Sequence, residues 1–122
     1  MKFLIVDDNE RFRTYLRNLI IKKEDECVEL DDGLQVSSAY NEFRPDWVLL
    51  DIRMKNVSGF KAAEKLKKDF PEARFAIVSD YSDERFRKKA SNLGAAAFIS
   101  KENLFELYEL IHSNLFLQPG RL

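Results

Sequence analysis

Residues 47–52 read Trp-Val-Leu-Leu-Asp-Ile, an uninterrupted apolar run that leads directly into a carboxylate. A run of this kind predicts a strand buried on both faces, as in a parallel sheet. Open α/β sheets bind ligands in a crevice beyond the carboxyl ends of their strands. Asp51 is therefore predicted to lie at the mouth of such a crevice, where we consider it a candidate reactive carboxylate.

The composition is that of an ordinary globular protein. The 122 residues fit one domain, with 45% hydrophobic and 34% charged residues and a net charge of −1. That charge gives no general attraction to nucleic acid or to a membrane surface, and no apolar segment approaches the ~20 residues needed to cross a bilayer. With Cys27 as the single cysteine, an internal disulfide is excluded. We expect a cytoplasmic protein in which Cys27 is a buried structural thiol.

Segments of strand character alternate with amphipathic helical segments five times along the chain. The predicted strands cover residues 3–6, 27–30, 47–52, 74–79 and 95–100, and a helical spacing of apolar residues follows each of them. The last helix is predicted to place Leu104, Leu107, Tyr108, Ile111 and Leu115 on one face. This alternation predicts an α/β fold with a parallel sheet, right-handed crossovers and helices on both faces.

Capping residues and helix breakers indicate where several of these helices begin and end. The first helix is expected to begin near Asp8 or Asn9 and to carry the Lys22-Lys23 pair in its last turn. Ser58 suits the cap of the third helix, and Ser82 or Asp83 the cap of the fourth. Arg44-Pro45 is expected to end the second helix, and Gly94 to follow the fourth as its C′ residue.

Four of the five predicted strands end in residues that can carry chemistry: Asp7-Asp8, Asp51, Ser79 and Lys101. Because parallel strands share one carboxyl edge, these groups are predicted to converge. Crowded carboxylates repel one another unless a cation joins them, and oxygen ligands without His or Cys favour Mg²⁺ or Mn²⁺. Such an ion holds phosphoryl oxygens against a carboxylate nucleophile, with Lys101 adding a point charge and Ser79 a hydroxyl donor.

Each of these residues also has a simpler interpretation. Asp8 suits the cap of the first helix, and Asp51 suits the start of a turn. Ser79 alone is unremarkable, and a lone lysine such as Lys101 is usually a solvated surface charge. Their joint occurrence at four strand ends favours a common site.

Several motifs resemble the receiver domain of bacterial two-component response regulators. They are residues 3–8 (FLIVDD), 48–54 (VLLDIRM), Ser58-Gly59, 77–79 (IVS) and 94–101 (GAAAFISK), and the resemblance covers essentially the whole chain. It implies a flavodoxin-like, doubly wound (βα)5 three-layer sandwich with a five-stranded parallel sheet in the order 2-1-3-4-5. The domain is expected over residues 1–117, with 118–122 as a C-terminal tail or the start of a truncated linker.

The resemblance also implies roles for individual residues. Asp51 would accept a phosphoryl group from the histidine of a sensor kinase or phosphotransfer protein. Asp7 and Asp8 would hold Mg²⁺ together with Asp51 and the backbone carbonyl of Arg53. The phosphoryl oxygens would pair with Lys101 and with Ser79 after it swings inward, while Phe98 would become buried. The phosphoryl charge would then switch a face formed by the fourth helix, fifth strand and fifth helix.

Three positions depart from the pattern of the family, and they motivate an alternative. Asp80 stands where a small residue is usual, and Lys55 and Glu102 stand where proline is usual. A phosphorylation-independent interaction module is therefore the alternative to a phospho-accepting receiver. A phosphohydrolase is disfavoured because Asp7 lacks a second Asp two residues later.

The partners implied are a sensor kinase or phosphotransfer protein and a downstream protein target or a lost output domain. A homodimer through the face of the fourth and fifth helices is a further arrangement that we consider. Neither a membrane nor direct nucleic acid binding by this domain is expected. We regard the domain as a phosphoacceptor for signalling, catalysing only its own phosphoryl transfer and dephosphorylation.

Overall fold

The computed structural model describes residues 1–113, in which five strands alternate with five α-helices. The strands are β1 (Lys2–Val6), β2 (Glu26–Leu30), β3 (Trp47–Leu50), β4 (Phe75–Ser79) and β5 (Ala97–Ser100). The helices are α1 (Glu10–Ile20), α2 (Val36–Phe43), α3 (Gly59–Asp69), α4 (Glu84–Asn92) and α5 (Leu104–His112), and a 3₁₀ turn covers Gly33–Gln35.

All strand pairs are parallel, and the sheet order is β2-β1-β3-β4-β5. The predicted flavodoxin-like fold is thereby confirmed. The order reverses between β1 and β3, so the crevice of the fold lies where those two strands end.

The core has two layers because successive side chains of a strand point to opposite faces of the sheet. In β3, Val48 and Leu50 pack with α2, α3 and α4, whereas Trp47 and Leu49 pack with α1 and α5. Both faces of β3 are therefore buried, as its continuous apolar sequence predicts.

Side-chain caps fix the start of three helices. The Asn9 side chain accepts from the backbone amide of Phe12 at 3.0 Å. The Ser58 hydroxyl accepts from the backbone amide of Lys61 at 3.2 Å, and the Asp83 carboxylate accepts from the backbone amide of Arg85 at 2.7 Å. Asn9 rather than Asp8 thus caps α1, and Asp83 rather than Ser82 caps α4. This leaves the Asp8 carboxylate available at the edge of the sheet.

Two helix ends agree with the sequence prediction. Helix α2 ends before Arg44, whose φ of 51° lies in the left-handed region. Gly94 follows α4 with φ 89°, a conformation that glycine adopts without a steric penalty.

Other boundaries differ from the prediction. Helix α1 ends at Ile20, so Lys22-Lys23 do not lie in its last turn. The Lys22 amide instead donates to the Asp25 side chain at 2.8 Å, and this hydrogen bond forms a turn. Strand β3 stops at Leu50 because its pairing with β4 ends there. Strand β5 begins at Ala97, since the Ala95 amide is still bonded to the Ala90 carbonyl at the end of α4.

Two further predictions concern the chain ends and the cysteine. Leu115, the domain end at residue 117 and the 118–122 tail lie outside the described residues. Cys27 is half-buried, and burial raises the pKa of its thiol to about 11, which fits a structural thiol. Within the described part of the chain, no helix has the length and apolar character required to span a bilayer.

Candidate functional site at the carboxyl edge of the sheet

The ends of β1, β3 and β5 bring four charged side chains together. Asp7, Asp8 and Asp51 each present a carboxylate oxygen, and these oxygens lie within 4.8 Å of one another. The Lys101 ammonium lies 2.7 Å from Asp7 Oδ2 and 3.6 Å from Asp51 Oδ1. The convergence expected from parallel topology is therefore present for these residues.

Asp7 is the most firmly held member of this group. Its side chain is buried; Oδ1 accepts from the Asn9 amide at 2.8 Å and Oδ2 from Lys101 at 2.7 Å. Its backbone carbonyl also accepts from Arg13 Nη1 at 2.5 Å. Hydrogen bonds to two different elements fix the carboxylate before any ligand arrives.

Asp51 continues the sheet one residue beyond β3, because its amide donates to the Val6 carbonyl at 3.0 Å. Only 8% of the residue is exposed. Burial raises the pKa of this carboxyl to about 6, and the charge of Asp7 adds to the rise, while Lys101 opposes it. The structure therefore places a carboxylate where its negative charge is disfavoured until a cation compensates it.

The first residue of α3 is a glycine because the helix approaches Asp51 closely. The Gly59 amide donates to the Ile52 carbonyl at 2.7 Å. A Cβ added to Gly59 would stand 1.9 Å from the Asp51 carbonyl oxygen. The sequence shows Ser58-Gly59 only as a motif, because the approach of α3 to Asp51 depends on the path of the loop between them.

Lys101 joins two neighbouring strands to the acidic cluster. Its amide donates to the Ser79 carbonyl at 2.9 Å, and its ammonium lies 4.1 Å from the centre of the Phe12 ring. Burial disfavours the charge, but the hydrogen bond to Asp7 and the charge of Asp51 outweigh it and raise the lysine pKa. Phe12, which the helical spacing indicates only as a core residue, thus supports the site lysine.

Ser79 ends β4 with its side chain fully buried. Its Oγ accepts from the amide of Tyr81 at 2.9 Å, in the loop before α4. This hydrogen bond uses only a lone pair of the Ser79 oxygen, so it does not involve the hydroxyl proton. Ser79 is thus at the predicted strand end and engaged with the following loop.

Arg53 lies in the loop after β3 and Phe98 lies on β5, and each takes part in a contact between a guanidinium and an aromatic ring. The Arg53 guanidinium lies 4.2 Å from the centre of the Tyr81 ring, which connects the loops after β3 and β4. Phe98, on β5, is half-buried; the Arg87 guanidinium lies 4.8 Å from its ring centre and donates to its carbonyl at 3.4 Å. Both pairs depend on loop and helix positions that sequence spacing does not give.

The donor set fits a hard divalent cation. Three carboxylates, without His or Cys among them, are typical ligands of Mg²⁺ or Mn²⁺, which retain several waters. A cation there would also offset the unfavourable burial of the Asp51 charge. The acidic cluster is thus compatible with Mg²⁺.

Comparison with known proteins places this chain in a family. Residues 3–112 match the family described as the response regulator receiver domain. The chain belongs to that family, whose members are signalling domains of two-component systems rather than conventional enzymes. Receiver domains interact with histidine kinases and with downstream targets.

Similar proteins include both single receivers and longer regulators. The chain is 33% identical over 102 residues to the chemotaxis protein CheY of Listeria monocytogenes, covering 83% of this chain and 86% of that protein. It is 31% identical to the DNA-binding transcriptional activator EvgA of Escherichia coli K12, covering 84% of this chain and 50% of EvgA. The response regulator domain of Thermotoga maritima CheB superposes with a TM-score of 0.84 at 28% identity, covering 98% of both chains.

Proposed function

We propose that Asp51 accepts a phosphoryl group from a phosphohistidine of a sensor kinase or phosphotransfer protein. The observation that carries this proposal is the Lys101 ammonium between the carboxylates of Asp7 and Asp51. In the transfer, an Asp51 carboxylate oxygen forms a bond to phosphorus. The P–N bond to the donor histidine breaks, and its electron pair remains on the imidazole nitrogen.

Asp7, Asp8, Asp51 and the backbone carbonyl of Arg53 would hold Mg²⁺ or Mn²⁺. When bound, the cation supplies positive charge for the carboxylate and phosphoryl oxygens. Asp7 is supported for this role because its carboxylate is already oriented by the Asn9 amide.

Lys101 pairs with a phosphoryl oxygen after transfer. Its ammonium lies 3.6 Å from Asp51, and its position is maintained by Phe12 and by the backbone bond to Ser79. A lysine serves this role as a mobile point charge.

Ser79 and Phe98 transmit the change to the surface. The Ser79 hydroxyl turns to donate to a phosphoryl oxygen, and Phe98 moves inward between β5 and α4. The face of α4, β5 and α5 then differs between the two states and controls a protein partner or an output domain. The homodimer predicted through this face remains a prediction.

Phosphorylation of the purified chain tests the proposal. Incubation with acetyl phosphate and Mg²⁺ should add one phosphoryl group, measured by intact mass. Asp51→Asn should abolish the addition, and EDTA should strongly reduce it. Asp31→Asn, an exposed carboxylate after β2, is the matched control and should be labelled like the wild type. A label retained by Asp51→Asn would contradict the assignment.

A phosphorylation-independent interaction module is the second candidate, because of Asp80. Burial lowers the pKa of Lys101, whereas the nearby carboxylates of Asp7 and Asp51 raise it. The exposed carboxylate of Asp80 is near enough to add a smaller effect that also raises this pKa. A negative charge there opposes the approach of a phosphoryl donor. If this effect dominates, Asp80→Asn should accelerate phosphorylation, and Asp51→Ala should leave partner binding unchanged.

A further inference from the structure

Arg13 holds the peptide group that joins Asp7 to Asp8. Its Nη1 donates to the Asp7 carbonyl at 2.5 Å, and the Asp7 amide in turn donates to the Leu30 carbonyl at 3.0 Å. Hydrogen bonds from a charged donor are shorter and stronger than neutral ones. Because a peptide group is planar, a fixed Asp7 carbonyl also fixes the direction in which the chain continues into Asp8.

The Asp8 carboxylate depends on this backbone support. The residue is exposed, and nothing in residues 1–113 donates a hydrogen bond to its side chain. One of its oxygens nevertheless lies within 4.8 Å of oxygens of Asp7 and Asp51. The Asp7 carboxylate differs, since two donors hold it directly. Asp8 is therefore a cluster member whose orientation is set through its backbone.

Glu29, on β2, directs the arginine toward this peptide group. Its Oε1 accepts from Arg13 Nε at 3.0 Å, and its Oε2 accepts from Arg17 Nη1 at 3.3 Å. The Arg13 side chain is 14% exposed, whereas that of Arg17 is 57% exposed. A guanidinium is planar, so a hydrogen bond at Nε restricts the direction of Nη1. Glu29 thus presents Arg13 to the Asp7 carbonyl and compensates the positive charge of the arginine.

We propose that Arg13 is a positioning residue for the cation site, because it holds the Asp7–Asp8 peptide so that the Asp8 carboxylate faces the ion. This inference rests on the proposed function, in which Asp7 and Asp8 hold Mg²⁺ or Mn²⁺. The hydrogen bond and the charge of Arg13 act on cation affinity in opposite directions. The hydrogen bond orders a ligand and favours binding, whereas the positive charge repels the cation. If the hydrogen bond dominates, removal of the side chain weakens cation binding.

Titration of the full chain with Mn²⁺ alone, with free Mn²⁺ measured by electron paramagnetic resonance, tests the proposal. Arg13→Met retains an apolar stem and removes the hydrogen bond. It should raise the Kd for Mn²⁺ about tenfold or more, as expected for loss of a residue that orients a metal ligand. Arg17→Met is the matched control, because Arg17 lies one turn further along α1 and donates to the same glutamate rather than to Asp7. Its Kd should stay within about twofold of the wild type.

The reaction with acetyl phosphate gives a second readout. The Mg²⁺ concentration for half-maximal phosphorylation should rise in Arg13→Met by the same factor as the Kd for Mn²⁺. Thermal melting verifies that each variant is folded at the temperature of the titration. Arg13→Gln, which is neutral and shorter but polar, replaces Arg13→Met if that variant does not fold, and the same rise in Kd is expected.

The inference is overturned if the wild type binds Mn²⁺ and Arg13→Met binds it equally or more tightly, and the proposed function then stands. It is also overturned if Arg17→Met weakens binding as much as Arg13→Met, since the cause would then lie in the charge at Glu29. A wild type that binds no Mn²⁺ would contradict the cation site of the proposed function itself, and this inference with it.

Discussion

Replacing Asp51 by Asn should stabilise the folded protein when no divalent cation is present. The Asp51 carboxyl is buried next to Asp7, and these two causes raise its pKa from the ordinary 3.8 to about 6. A rise of this size corresponds to about 3 kcal/mol of unfavourable free energy for the ionised form in the folded state. The Asn amide keeps the shape and removes the charge, but it must find its own hydrogen-bond partners. We therefore expect a gain of about 1–3 kcal/mol at pH 7.5.

The sign of the pH dependence follows from the raised pKa. Below the unfolded pKa near 3.8, Asp51 is neutral in both states, and the variant has no electrostatic advantage. As the pH rises through about 6, the wild type loses stability because folding disfavours the ionised form. The advantage of Asp51→Asn should therefore grow between these limits and then reach a plateau.

Urea unfolding in EDTA at several pH values measures this difference. Asp31→Asn provides the control and should change the free energy of unfolding by less than about 0.5 kcal/mol. Added Mg²⁺ should stabilise the wild type by mass action and Asp51→Asn much less. The reasoning would be refuted if Asp51→Asn were no more stable than the wild type at pH 7.5, or if its stability advantage at pH 4 were as large as at pH 7.5.

Three further predictions concern residues around the core and the site. Lys101→Met should lower stability by about 3 kcal/mol in EDTA, because it leaves the buried Asp7 without its cation, and urea unfolding measures the loss. Gly59→Ala should lower the melting temperature far more than Gly94→Ala. A Cβ at residue 59 would lie 1.9 Å from the Asp51 carbonyl oxygen, whereas a Cβ at residue 94 first meets the end of the flexible Lys67 side chain, at 3.2 Å. At pH 8, Cys27 should react with iodoacetamide about tenfold more slowly in the folded chain than in urea. Its pKa of about 11 leaves roughly a hundredth of the thiolate that an ordinary cysteine has at this pH. The greater nucleophilicity of a high-pKa thiolate partly compensates for this smaller fraction. Equal rates in the two states would contradict the burial argument.

The position of the site could be predicted because it depends on topology alone. Parallel strands necessarily bring Asp7, Asp51 and Lys101 to one edge, although they are far apart in the sequence. The continuous apolar runs identify those strands without any knowledge of side-chain geometry.

The surroundings of the site could not be predicted, because they depend on the path of loops. The stacking of Arg53 on Tyr81 requires two loops to meet in space, and neither loop has a periodic pattern. The same limit explains the early end of α1, where the Asp25 side chain accepts from an amide that would otherwise continue the helix. The Phe12–Lys101 contact crosses from the first helix to the last strand, beyond the range of local spacing.

The hydrogen bond between Ser79 and Tyr81 has a consequence for any motion of the serine. A hydroxyl that rotates away from Tyr81 leaves that partly buried backbone amide without an acceptor, and an amide left unsatisfied away from water costs about 1–3 kcal/mol. The loop must therefore move with the hydroxyl or find water for the amide. Because Tyr81 also contacts Arg53, reorientation of one serine oxygen changes the position of the loop after β3 as well. Tyr81 is therefore the residue that links the serine to both loops.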